Sequence, residues 1–206
     1  MKLIIFYLLY PLLKGISLLP HKILYFLSDI LKFLFHNVIK YRLKVVKKNI
    51  AIAFPELSIK KQKEIISNFY KHLTDIFIEM IKSISLSKTQ AVKRYSFKNL
   101  DLLRTHKKNN KSIILLLGHY SSWEGMLTIG NHLDFPSYAI YTPLTNKYFN
   151  KLIFKSRQRH NSTAIDRYQI IKVIKQNLNL NKIGIYGFAM DQSPNPRKTT
   201  YWRSFM

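Results

Sequence analysis

Apolar and polar positions along this chain fall into three regimes. From Leu3 to Leu13 no charge interrupts the apolar run, and after Lys14 it resumes to Pro20. A helix over Leu3 to Pro20 is roughly 27 Å long, just short of a bilayer's hydrocarbon core, and Pro11 bends it. A second apolar stretch, 23–39, carries Asp29, Lys32 and His36, a pattern that suits an amphipathic helix lying in a membrane interface. The plainer alternative for both is an ordinary core helix. No small-residue cleavage site follows the first stretch, so it does not read as a removed signal peptide.

The second regime runs from Ile59 to about Ile84. Apolar residues recur at helical spacing (Ile65, Ile66, Phe69, Leu73, Ile76, Phe77, Met80), lysines fill the other face, and Ser58 stands where an N-cap belongs. From Ser112 the pattern changes to short aliphatic runs alternating with helical stretches. Strands are predicted over 113–117, 137–141, 162–165 and 183–188, and helices over 123–132, 147–159 and 167–178. This alternation predicts an α/β fold: a mostly parallel sheet flanked by helices, preceded by N-terminal membrane-associated helices. The chain divides into 1–39, the anchoring or interfacial helices, and 40–206, the α/β domain, with 40–57 read as a basic connector.

Charge sharpens this picture. The 206 residues carry 34 Lys and Arg against 10 Asp and Glu, a net charge of +24. Such a field recruits anionic partners: nucleic acid, an acidic membrane surface, a phosphorylated lipid or an acidic carrier protein. Lys40, Arg42, Lys44, Lys47 and Lys48 directly follow the apolar stretches, which reads as a cytoplasmic segment facing anionic lipid. No recognised nucleic-acid module is present, so nucleic acid is not an expected partner. The chain has no Cys, which removes disulfides and thiolate zinc sites. His119, His132 and His160 share no recognised ligand spacing, so neither a metal nor a cofactor is expected.

The chemistry concentrates where the first strand ends. After Ile113-Ile114-Leu115-Leu116-Leu117 come Gly118, His119 and, five positions after the histidine, Glu124. A His–carboxylate pair is the minimal unit for taking a proton from a hydroxyl: the imidazole is the base and the carboxylate fixes its tautomer. Five residues of continuous helix rotate by roughly 140°, so the pair meets only if His119 lies in a turn and Glu124 in the first turn of a following helix. Ser121-Ser122-Trp123-Glu124 fits a capping box at that helix start. The same residues have a plainer reading, in which Glu124 merely completes the cap and His119 is a polar residue at a strand end.

Four blocks, in order over about 40–205, resemble the lysophospholipid acyltransferase superfamily, and more closely its bacterial lipid A late acyltransferases (lauroyl/myristoyl transferases). They are the His119-x-x-x-x-Glu124 block; Asn49 to Ser58 with Phe54-Pro55-Glu56; Tyr141-Thr142-Pro143-Leu144-Thr145-Asn146 followed by Arg157-Gln158-Arg159; and Asp191-Gln192-Ser193-Pro194. There are departures. Thr142 stands where the family usually has Arg or Lys, and His160 to Thr163 replace a usual Phe-Gly turn.

The resemblance implies an O-acyltransferase at the cytoplasmic face of a bacterial inner membrane. Its donor is an acyl carrier protein thioester and its acceptor a hydroxyl of a phosphorylated lipid A precursor or related glycolipid. It implies His119 as base and Glu124 as its orienting partner. The arginine block falls on Arg157 and Arg159, as oxyanion donors or phosphate ligands, where sequence alone also permits a solvated helix face. Asp191 becomes a substrate-binding candidate, although an Asp before Ser-Pro is also a turn former. The rival readings are an inactive remnant of the family and a basic membrane-binding protein without catalysis. The last apolar run is followed by a polar turn and by Tyr201, Trp202 and Phe205, where the family continues with further strands and helices. An incomplete domain, weakly active or inactive as it stands, is therefore expected.

Overall fold

The computed structural model describes residues 2–191. The chain begins with a helical layer. Helix α1 (Lys2–Leu18) keeps Pro11 inside it, α2 (His21–Phe33) runs into a π-helical turn at Leu34–Val38, and α3 (Leu43–Ala53) follows. The segment read as a connector thus contains a helix, because Val45, Val46, Ile50 and Ile52 alternate with its lysines at helical spacing. Helix α4 (Ile59–Ser83) starts as expected, with the Ser58 hydroxyl accepting from Lys61 N. Two short helices, α5 (Lys88–Arg94) and α6 (Leu100–Lys108), lead to the sheet.

Helices α1 and α2 pack on α4 through buried polar contacts as well as apolar ones. Lys82 Nζ reaches the carbonyls of Ser17 and Leu19 at the end of α1 (3.0 and 3.1 Å), supplying the cation that a helix C-terminus favours. Ser28 donates to Asp75 at 2.6 Å. No helix among the described residues is long and apolar enough to cross a membrane. The same helices nevertheless leave large apolar side chains exposed: Leu8, Leu12, Phe26, Phe33 and Val38 each have more than half their surface open.

The sheet has four parallel strands in the order β1-β4-β2-β3: β1 (Ile113–Leu117), β2 (Ser137–Tyr141), β3 (Ser162–Asp166) and β4 (Ile185–Ala189). The expected α/β fold with a parallel sheet is present. A 3₁₀ helix (Trp123–His132) links β1 to β2, α7 (Lys147–Arg157) links β2 to β3, and α8 (Ile170–Asn179) links β3 to β4. Alternation along β4 sends Ile185 into a core with Ile129, Leu133 and Phe135 on one face, and Tyr186 into a core with Ile165 and Ile170 on the other.

The linker after β1 is 3₁₀ rather than α-helical. Its glycines sit where neighbours press closely: a Cβ on Gly130 would strike the carbonyls of His160 and Asn161, and one on Gly125 would strike the Tyr95 ring. The pairing between β2 and β4 covers Ser137 to Ala139 against Ile185 to Gly187 and then stops. Beyond those rungs the two strands part at their carboxyl ends, which opens the sheet where α/β proteins place ligands.

Candidate active site

His119 lies in the turn directly after β1, two residues before Ser121, which adopts the left-handed conformation (φ 55°). That conformation is costly for a non-glycine residue and is kept only where surroundings enforce it. The enforced turn places the His119 imidazole at the carboxyl end of the sheet, about a third exposed. Asp191, two residues past β4, receives both of its donors. His119 Nδ1 stands 2.7 Å from Asp191 Oδ1, and the His119 backbone N–H donates to Oδ2 at 2.7 Å. Those two hydrogen bonds hold the Asp191 carboxyl below the usual carboxylate range.

The sequence paired His119 with Glu124. In the structure the carboxylate at His119 Nδ1 is that of Asp191, and Glu124 binds Arg157. The capping box is also absent: the N-cap residue Ser122 makes no side-chain cap hydrogen bond. The physical reason lies in the turn. With Ser121 left-handed, the 3₁₀ helix starts with Glu124 directed into the interior, where its side chain is 8% exposed. A carboxylate buried that far needs a cation, and Arg157, 11% exposed at the end of α7, supplies it. The Arg157 guanidinium also lies over the Tyr141 ring, 5.6 Å from its centroid. Arg159, by contrast, is exposed in the short 3₁₀ turn that follows α7. His160 beside it is buried, its Nδ1 3.1 Å from Asn131 Nδ2; burial, then the charge of Arg159, hold its pKa below the ordinary histidine value.

His119 and Arg157 open on the same cavity, of about 600 Å³, within the range of small-molecule sites. It occupies the split between the strand ends, with Ile140 and Tyr141 on one side, Phe188 and Ala189 on the other, and Met126 and Ile129 behind. The lining is largely apolar, with charge at one end. The structure therefore brings His119, Asp191, Arg157 and Glu124 together and leaves Arg159 outside. Among the described residues no cluster of three or more His, Cys, Asp or Glu is arranged to hold a metal ion. Gln192 onward, including the rest of the Asp-Gln block and the aromatic tail, lies outside the described residues.

A parallel α/β sheet with a histidine–aspartate pair and a buried arginine–glutamate pair around a strand-end apolar cavity defines the class of protein. The family follows from comparison: the model for the bacterial lipid A biosynthesis acyltransferases matches residues 1–201, and the chain belongs to that family. It is similar to the lipid A biosynthesis palmitoleoyltransferase of Escherichia coli (strain K12) and to the lipid A biosynthesis acyltransferase of Shigella flexneri. Each is 24% identical over 175 residues, covering 84% of this chain and 56% of the relative. The chain thus spans little more than half the length of these relatives.

Proposed function

We propose that the chain is an O-acyltransferase lying in the membrane interface, which moves a fatty acyl group from a carrier-protein thioester to a hydroxyl of a phosphorylated glycolipid of the lipid A type. The observation that carries this reading is the His119–Asp191 pair at the mouth of an apolar cavity. A hydroxyl acceptor needs a base, and an acyl chain needs a dry slot beside it.

In this reading Asp191 accepts from Nδ1–H and so fixes the tautomer in which Nε2 is the base for the hydroxyl proton. The acceptor oxygen attacks the thioester carbonyl and forms a tetrahedral oxyanion. Collapse of that intermediate expels the thiolate, which takes the proton back from the imidazolium, so the enzyme returns to its starting state. Arg157, fixed by Glu124 at the charged end of the cavity, stabilises the oxyanion or binds an acceptor phosphate. Arg159, outside the cavity, is left to surface electrostatics.

Membrane association is supported by the exposed apolar side chains of α1 and α2 beside the basic residues of 40–48. The net charge of +24 suits an acidic carrier protein and an anionic lipid headgroup alike, and it supports a reading in which the working face is turned toward the cytoplasm.

The test uses the purified full chain in detergent with an acyl carrier protein thioester and a phosphorylated glycolipid. Transfer is expected for the unaltered chain and lost in His119→Ala. Asp191→Asn is expected to lower kcat by about 10²- to 10⁴-fold, as loss of the correct tautomer does in histidine-based catalysis. Unimpaired turnover by His119→Ala, or no transfer by the unaltered chain, would refute the proposal.

A further inference from the structure

The turn that carries His119 is held from behind by a buried polar junction of three helices. Ser122, whose hydroxyl makes no helix cap, faces this junction, with its Oγ 3.4 Å from the Tyr95 hydroxyl. At the centre is Glu79, on α4, with its side chain 14% exposed. It accepts from Tyr25 Oη of α2 at 2.5 Å and from Arg94 of α5 at 2.9 Å, and Ser122 is a third polar neighbour that favours its charged form. Arg94 also reaches the Tyr25 hydroxyl. Burial opposes charge on Glu79, but its polar neighbours Ser122, Tyr25 and Arg94 outweigh it and keep the carboxyl below its ordinary pKa. The Tyr95 ring closes the other side by filling the space against Gly125.

A left-handed serine one residue from Ser122 requires such support. Without it, Ser121 relaxes toward ordinary φ and the imidazole moves with it. The junction lies behind the strand-end cavity and does not line it.

We infer that Glu79 is a positioning residue for His119, acting through Ser122, and that the Tyr25 hydroxyl ties this support to α2. The inference rests on the proposed role of His119 as the base. It adds that correct placement of that base depends on a junction to which α2, a helix with exposed apolar side chains, contributes directly. Displacement of the reacting group by about 1 Å costs on the order of 10²-fold in rate, so loss of the junction appears in kcat and leaves substrate affinity largely unchanged.

The experiment compares Glu79→Gln, Tyr25→Phe and Ser122→Ala with the unaltered full chain, and with Asp75→Asn one helical turn earlier on α4 as a control. Three quantities are read: kcat and KM separately, the melting temperature, and hydrogen exchange at the amides of 118–122 in the chain without substrate. Glu79→Gln and Ser122→Ala are expected to lower kcat about 10- to 100-fold at near-constant KM, and Tyr25→Phe by about threefold or more. The double variant Glu79→Gln/Ser122→Ala is expected to be no worse than the poorer single one, because the two act in series. Exchange at 118–122 is expected to quicken by about tenfold in Glu79→Gln and to stay unchanged in Asp75→Asn. Multiplying losses in the double variant, or unchanged kcat and exchange in Ser122→Ala, would overturn the inference. Hydrogen exchange needs no turnover, so the positioning role is decided even if acyl transfer itself fails.

Discussion

Replacing Glu124 with alanine separates two accounts of this residue. In the structure Glu124 is 8% exposed and its partner Arg157 11% exposed, so both charges lie largely out of water. Breaking a buried ion pair from one side costs about 3–5 kcal/mol, because the remaining charge loses its compensation while staying desolvated. For a chain of this length about 2–4 °C of melting temperature is lost per kcal/mol, so Glu124→Ala is expected to melt roughly 6–20 °C lower. Glu124→Gln keeps an oxygen acceptor but loses the charge, which costs about 1–2 kcal/mol. Removing both partners in Glu124→Ala/Arg157→Met is expected to regain part of the lost stability, since no charge is then stranded. It is not expected to regain activity, because the guanidinium at the cavity is gone. The assay is thermal melting in detergent followed by near-UV circular dichroism, alongside initial rates of acyl transfer at a temperature where every variant is folded. The decisive result against this reasoning is a Glu124→Ala protein that melts within about 2 °C of the unaltered chain and yet loses more than about 10²-fold in kcat. Glu124 would then act on the imidazole, as sequence alone implied, and the Arg157 pair would carry little energy.

Two further outcomes follow from the helical layer and from histidines that are wholly or partly buried. His21, His36 and His160 all have pKa values held below the ordinary histidine value, with burial the largest cause in each. The unfolded chain therefore binds protons that the folded chain refuses, so stability is full above about pH 6.5 and falls as pH drops below it. Denaturant midpoints at pH 7.5 and 5.5 check this, and His160→Gln is expected to reduce the difference; identical midpoints at the two pH values would refute it. On anionic vesicles, Leu8→Asp with Phe26→Asp is expected to abolish sedimentation with lipid, whereas 1 M salt only weakens it, because apolar burial is not screened. Complete release of the unaltered chain by salt alone would remove the interfacial role of α1 and α2. Substitution is the cleaner perturbation here, because deleting 1–39 would strip Lys82 of its acceptors Ser17 O and Leu19 O and leave it buried.

The sheet was legible because its signal is local. A run of aliphatic residues ending at a glycine or a polar cluster set β1 and β2 at their observed bounds, and β3 and β4 within two residues. Helix α4 was legible for the same reason, since its apolar spacing and Ser58 cap lie within one segment. Helices α5 and α6 were not seen, being short and strongly basic, with tertiary packing around Ala91, Leu100 and Leu103 supplying what periodicity does not. The 3₁₀ geometry of Trp123–His132 was equally out of reach, because it depends on what Gly125 and Gly130 press against, contributed by Tyr95 and by His160 and Asn161.

The candidate site divides along the same line. His119 and Glu124 were visible as a spacing, and spacing correctly put one in the turn and the other at the start of the next helix. Which carboxylate meets which cation is decided by residues 33 and 72 positions away, and no local pattern carries that information. A signal was nonetheless present. The sequence holds 10 acids against 34 bases, so a carboxylate here is scarce and most surface charge is basic. In such a background an acid placed beside apolar residues has reason to be buried and paired, because solubility and surface charge do not require it there. Glu79 and Glu124 meet that condition, each beside apolar residues in sequence and each largely buried against an arginine from another element, and Asp191, though exposed, pairs with His119; all three converge on the segment 119–124. Scarce acids in a strongly basic chain therefore mark where its electrostatic organisation is concentrated, and here they mark the turn that follows the first strand.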